Sequence, residues 1–273
     1  VPDSQGYVLG QSERAARRLE IQDAHFAAVS ERLLDRLALR PDARVVELGC
    51  GAGSFSRRVL RRLGEGGVLV GVDMTAGLLE QARAALASAG PARFEAVLAD
   101  VAEPGAWLEE ADAVVARTML HHVPMAEFLF GKLKVKLRPG TRLGFIEPDF
   151  RSLLGRLAYL EATGRLELAC LHTWAVAINQ LYLANRISPA VGASLGQTLE
   201  LAGYRDVHSE WSECPTDQLA LDNMLMFYDE VRNRLQALGI LTAAEVAEQQ
   251  RQLRALAPGQ PGVWGVYVVT ATV

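Results

Sequence analysis

Residues 45–53, VVELGCGAG, carry a short β-rich run straight into a turn holding Gly49, Gly51 and Gly53. A second apolar run, VLVGVD at 68–73, follows and ends on Asp73. Glycines at such a turn let the backbone take positive φ and let a ligand lie against bare main chain. An acidic side chain at the tip of the next strand is placed to accept hydrogen bonds from both hydroxyls of a ribose. The spacing therefore points to an adenosine-type cofactor on a strand–turn–helix–strand unit.

The detail of the turn narrows the cofactor. A dinucleotide fingerprint reads G-x-G-x-x-G and opens a helix that holds a pyrophosphate. Here the turn is GCGAG followed by Ser54, with Glu47 inside the strand end. A carboxylate at that place repels a pyrophosphate and suits an ammonium or sulfonium group. The E-x-G-x-G-x-G run from Glu47 to Gly53, with Asp73 downstream, resembles motif I and its acidic partner in class I S-adenosylmethionine-dependent methyltransferases. VLAD (97–100), DAVVARTMLHHV (112–123) and LRPGTRLGFIEPD (137–149) resemble the family's later blocks and fall in the family's order. The resemblance is close over about 40–150 and looser from 190 onward.

It implies S-adenosylmethionine as cofactor and S-adenosylhomocysteine as product. Glu47, Gly49, Gly51, Asp73 and Met74 would bind it, Asp100 and Val101 would meet the adenine, and Arg117 would lie near the methionine end. The segment YVLGQSERAARRLEIQ (7–22) resembles a lead-in that folds over the cofactor, sometimes in a neighbouring subunit, which makes Tyr7 and Gln22 candidates for closing the site. A homo-oligomer through this N-terminal helix is left open.

Methyl transfer from a sulfonium, already a good leaving group, asks chiefly for alignment and desolvation, sometimes for a base. His121 and His122 are the catalytic candidates, because histidine titrates near neutrality. Glu147 and Asp149 are alternative bases or substrate acceptors. Farther on, His172, Trp174, Tyr182, Phe227 and Tyr228 are candidates for an apolar acceptor pocket, and equally serve as helix core. The expected acceptor is thus a small, largely apolar organic molecule of secondary metabolism. O-methylation is favoured, with N- or C-methylation next. A non-methylating enzyme of the same pocket, such as a cyclase, is the alternative, separated by whether S-adenosylhomocysteine forms.

Alternating strands and helices over 41–150 predict a parallel sheet covered on both faces. With the resemblance, the expected fold is a doubly wound, Rossmann-like, seven-stranded, mostly parallel sheet with an antiparallel C-terminal strand. Residues 1–40 are read as a helical cover, 41–150 and 190–273 as the core, and 151–189 and 216–256 as helical lid insertions. Apolar spacing from Phe26 through Val29, Leu33 and Leu37 predicts one helix over 12–39, and a strand is expected at 204–211.

Half of the 273 residues are apolar, 22% are charged and the net charge is −4, an ordinary globular balance with no basic field for nucleic acid. The basic runs at 14–18 and 57–63 read as solvated helix faces. Cys50, Cys170 and Cys214 have no metal or disulfide spacing, so reduced thiols, no metal and a cytoplasmic location are expected. The N-terminus shows no secretion-type apolar region, and the longest apolar stretch, VWGVYVVTATV, is too short to span a bilayer.

Overall fold

The computed structural model describes residues 13–273, without the side chains of 13–16 and 260–263. Five strands, β1 (Arg44–Leu48), β2 (Val68–Asp73), β3 (Arg93–Leu98), β4 (Ala113–Arg117) and β5 (Arg142–Pro148), pair in parallel. Two long strands, β6 (Arg205–Thr216) and β7 (Gln260–Thr272), complete a seven-stranded sheet in the order β3-β2-β1-β4-β5-β7-β6. β7 runs antiparallel to both β5 and β6. The order reverses between β1 and β4, so the carboxyl ends of those strands open a crevice there, which is where ligands bind in sheets of this kind.

Helices α1 (Glu13–His25), α2 (Ala27–Leu37), α3 (Ser54–Leu60), α4 (Ala76–Leu86) and α5 (Ala126–Lys136) lie in and before the parallel half. They are followed by α6 (Phe150–Ala162), α7 (Ala169–Ala184), α8 (Val191–Leu201), α9 (Gln218–Ala237) and α10 (Ala243–Ala255). Strand periodicity sorts the core by face. Val45 joins a cluster with α2 and α3 residues, while Val46 joins another with Leu129 of α5 and Leu195 of α8. Glu47 falls on the Val45 side, towards α3. α2 reaches β5 closely: a Cβ on Gly144 would stand 2.7 Å from Leu37 Cδ1, so a side chain there would have to push Leu37 aside.

Helix starts follow local chemistry. Asp149 caps α6 by accepting from Ser152 N at 2.7 Å, Asp217 caps α9 through Ala220 N at 3.0 Å, and Thr242 with Glu245 forms a capping box on α10.

Two expectations are corrected. The single helix over 12–39 is two helices broken at Phe26, whose φ and ψ of −92° and 13° leave the helical range. Its backbone bonds to Gln22 and from Ser30 persist at 2.9 Å, so the chain bends without losing its ladder. The bend sends α1 towards α9 and leaves α2 against the sheet. The strand expected at 204–211 runs on to Thr216 through Pro215, which is tolerated because β6 is an edge strand and needs no amide donor on its open side.

Candidate active site

The glycine turn folds as its spacing requires. Gly49, Gly51 and Gly53 have φ of 70°, 54° and 87°, a region open to glycine and strained for other residues. At Gly49 the approach is also tight, since a Cβ there would lie 2.2 Å from Met119 Cγ in the loop after β4. Asp73 braces the turn: Oδ2 accepts from Gly51 N at 2.9 Å and Oδ1 from Thr75 N at 2.9 Å. Burial raises its carboxyl above the usual range, opposed by those backbone bonds. Asp100 is exposed and closes its own turn by accepting from Ala102 N at 2.9 Å.

These groups surround a cavity of about 270 Å³ at the carboxyl edge of the sheet. Glu47, Gly49, Gly51, Asp73, Met74, Asp100, Val101, Arg117 and Gln22 all line it, so the sequence-predicted cofactor residues are brought together. Tyr7 lies outside the described residues. Glu47 is buried and accepts from Ser56 Oγ at 2.6 Å. Burial pushes its carboxyl up to about 7, against the Ser56 bond and the nearby Arg117 charge. Arg117 is itself buried; Nη1 donates to Asp23 Oδ1 at 2.6 Å and to Ser30 Oγ at 3.1 Å, and the guanidinium lies 4.8 Å above the Phe55 ring. Asp23, on α1, also takes Arg58 Nε and Nη2 at 2.8 Å. Burial works against its ionisation, yet Arg58 and Arg117 hold its carboxyl below the usual range. Cys50 also lines the cavity, and burial pushes its thiol well up, which removes its nucleophilic form.

A second cavity adjoins the first. It is lined by Arg18, Phe26, His121, Pro148, Phe150, Trp174, Tyr182, Asn223, Phe227 and Trp264, and it shares Leu19, Gln22, Thr118 and His122 with the cofactor-type cavity. Trp174, Tyr182 and Phe227, expected from sequence, are here, with Phe150 edge-on to Tyr182 at 5.1 Å between ring centres. Three expected pocket residues are elsewhere. His172 stands on the outer part of α7, its Nδ1 2.8 Å from Glu161 Oε2. Tyr228 is fully buried in the helical core. Glu147 is 0% exposed and lines neither cavity: Oε1 accepts from Met119 N and Leu120 N, and Oε2 meets His121 Nδ1, each at 2.7 Å. On their helices His172 lies two residues from Trp174 and Tyr228 one residue from Phe227, which turns each away from the pocket face, and the strand-end position of Glu147 gave no sign that the next loop folds over it. Asp149 is occupied at the α6 start and by Ala193 N at 3.0 Å.

The two histidines differ in role. His121 is buried, oriented by Glu147 and stacked on Tyr182 at 5.6 Å. A carboxylate at Nδ1 fixes the proton there and leaves the Nε2 lone pair free to accept, by hydrogen-bond inference. His122 stands at the junction of the cavities, where burial, reinforced by the Arg18 charge, holds its imidazole well below its ordinary range. Sequence reasoning missed Arg18, Asp23, Ser56 and Asn223 as site residues; Arg18 stood in the basic run assigned to solvent.

A family model described as a methyltransferase domain matches residues 45–140. The chain is 30% identical over 192 residues to a trans-aconitate 2-methyltransferase of Rhizobium leguminosarum bv. trifolii, covering 69% of each chain. It is 29% identical over 123 residues to the nocamycin O-methyltransferase of Saccharothrix syringae, 45% of this chain and 44% of that relative, so it spans under half of the latter's length. Among solved structures, the geranyl diphosphate C-methyltransferase of Streptomyces coelicolor A3(2), in complex with magnesium, geranyl diphosphate and S-adenosylhomocysteine, superposes with a TM-score of 0.53 at 16% identity, covering 90% of this chain and 78% of that one. The chain belongs to the class I S-adenosylmethionine-dependent methyltransferases.

The residues fit that cofactor: an acid at the β2 tip, a second after β3, and a buried carboxylate beside an arginine suit ribose, adenine and an amino-acid end in turn. Among the described residues no group of three or more His, Cys, Asp or Glu is placed to hold a metal, and no helix is long and apolar enough to cross a membrane.

Proposed function

We propose that the chain transfers a methyl group from S-adenosylmethionine to a small, largely apolar organic acceptor in secondary metabolism, with oxygen as the favoured atom. The observation that carries this is the junction of the two cavities at Leu19, Gln22, Thr118 and His122, with an aromatic wall on the acceptor side. The name of the nocamycin O-methyltransferase supports oxygen as the target. The bound cofactor supplies an electrophilic methyl group. Asp73 would accept the ribose hydroxyls, Asp100 with Val101 would meet the adenine, and Glu47 with Arg117 would hold the zwitterionic end. Phe150, Trp174, Tyr182 and Phe227 would grip the acceptor and exclude water. His121, oriented by Glu147, would take the acceptor proton at Nε2, while His122 stays neutral and forms the wall between the sites. The N-terminal helix would serve as the cover over both cavities, and 151–189 with 216–256 as the lid.

Incubation with S-adenosylmethionine and a panel of phenolic, carboxylic and amino acceptors, read by mass spectrometry, tests this. Methylated product with equimolar S-adenosylhomocysteine is the expected result. Acceptor conversion without S-adenosylhomocysteine would establish the cyclase-type alternative instead.

A further inference from the structure

Arg18 is a buried cation that the proposed transfer does not use. It is 2% exposed and lines the acceptor cavity from α1. Its Nε donates to Glu230 Oε1 at 2.9 Å, and among the described residues neither terminal nitrogen meets a partner. A guanidinium has five N–H donors in a rigid fork, so one edge on Glu230 leaves a second edge for another carboxylate. Two further donors belong to the same wall. The indole Nε1 atoms of Trp174 and Trp264 are buried without partners, with ring centres 5.7 Å apart. Buried donors left unmatched are costly, and residues lining a binding cavity are where a ligand would match them. The rest of the wall is aromatic and suits a flat ring.

Resting on the acceptor-cavity reading above, we propose that this cavity takes a planar aromatic monoanion whose carboxylate is seated on the free edge of Arg18, with its ring among Phe150, Tyr182 and Phe227. The seat selects charge as well as shape. A neutral amide of the same ring would present an NH₂ group to donors and lose the paired bond. A polyanion would have to bury its extra charges against aromatic rings.

The test uses the full chain saturated with S-adenosylhomocysteine, titrated with 2-naphthoate and with its neutral isostere 2-naphthamide. Binding of 2-naphthoate at least roughly tenfold tighter is expected, as charge-assisted pairing on a buried guanidinium predicts. Glu230→Gln should keep or enlarge that ratio, and the double variant Arg18→Gln with Glu230→Gln, which removes both members of the pair, should bring it to one. Should the double variant not fold, Arg18→Lys, which keeps the charge and loses the fork, should reduce the ratio. Equal affinities in the unmodified protein, no binding of either probe, or a ratio unchanged in the variant that folds would each overturn the proposal. Failure of the methyltransferase reading shows separately, as no S-adenosylhomocysteine formed in the acceptor incubation described above.

Discussion

Glu47 is the residue whose chemistry reaches furthest. Its folded carboxyl titrates at about 7 against an ordinary 4.5, because burial disfavours the charge. Between those values the folded protein keeps a proton that the unfolded chain has released, so its stability contribution is full below 4.5 and is lost as pH rises to about 7. A bound ammonium demands the opposite state, the carboxylate. Affinity for S-adenosylhomocysteine is therefore expected to weaken as pH is lowered below about 7, by up to about tenfold per unit, and to level off above it. Calorimetry across pH 5.5–8 checks this, and Glu47→Gln should flatten the profile; a flat profile in the unmodified protein would remove Glu47 from the ammonium. Asp73→Asn should weaken the same ligand by about 1.5–3 kcal/mol, the worth of hydrogen bonds to a charged group, and an affinity unchanged in the folded variant would sink the ribose assignment. Glu47 and Asp73 were legible in the sequence because a strand, a turn and the next strand tip fix them by local spacing, and Asp100 through the family resemblance of VLAD (97–100). Arg18 and Asp23 were not, because their partners Glu230 and Arg117 lie 212 and 94 positions away. From sequence alone a basic run on an amphipathic helix reads as solvent-facing; only the tertiary fold buries its last arginine and the nearby Asp23.

At the scale of elements, α1 is held by ion pairs rather than by its own apolar stripe. Asp23 fastens it to β4 through Arg117 and to α3 through Arg58, and Arg18 fastens it to α9. Asp23→Ala strands a buried guanidinium, which costs about 3–5 kcal/mol where no group replaces the partner. A lower melting temperature together with weaker cofactor binding is expected, since α1 supplies Leu19 and Gln22 to the cavity; a variant with unchanged stability would show that water solvates Arg117 in place of Asp23. Glu147 ties β5 to the loop after β4 in the same manner. Glu147→Ala leaves two amides and the His121 ring unmatched, at about 1–3 kcal/mol for each buried group, and should also lower turnover by freeing the His121 ring. Loss of stability with turnover intact would assign Glu147 to folding alone. The strand–helix alternation that positions these elements was readable from periodicity. The break at Phe26 and the run of β6 through Pro215 were not: the first answers to what α1 and α2 pack against, the second to β6 lying at the sheet edge.

The molecule as a whole behaves as one cooperative body if its apolar interior is continuous, and that continuity is visible. One buried cluster runs from Val45 of β1 and Ile146 of β5 through Trp174 of α7 and Phe227 of α9 to Leu253 of α10, so the sheet and the helices beside the second cavity share a core. A cap with a core of its own could melt first; this one has no separate interior to fall back on. Thermal unfolding followed by far-ultraviolet circular dichroism and by tryptophan fluorescence should coincide, because two of the four tryptophans, Trp174 of α7 and Trp264 of β7, report on the contact between helices and sheet while the dichroism reports on all helices. S-adenosylhomocysteine at about one hundred times its dissociation constant should then stabilise the folded state by about 2.7 kcal/mol. For a chain of this size that moves the single transition upward by roughly 5–10 °C, in both signals alike. A fluorescence transition that precedes the dichroic one, or a ligand shift confined to one signal, would mean that the helices over the acceptor cavity open independently of the sheet, and α1, which touches both, would be the hinge rather than the fastening.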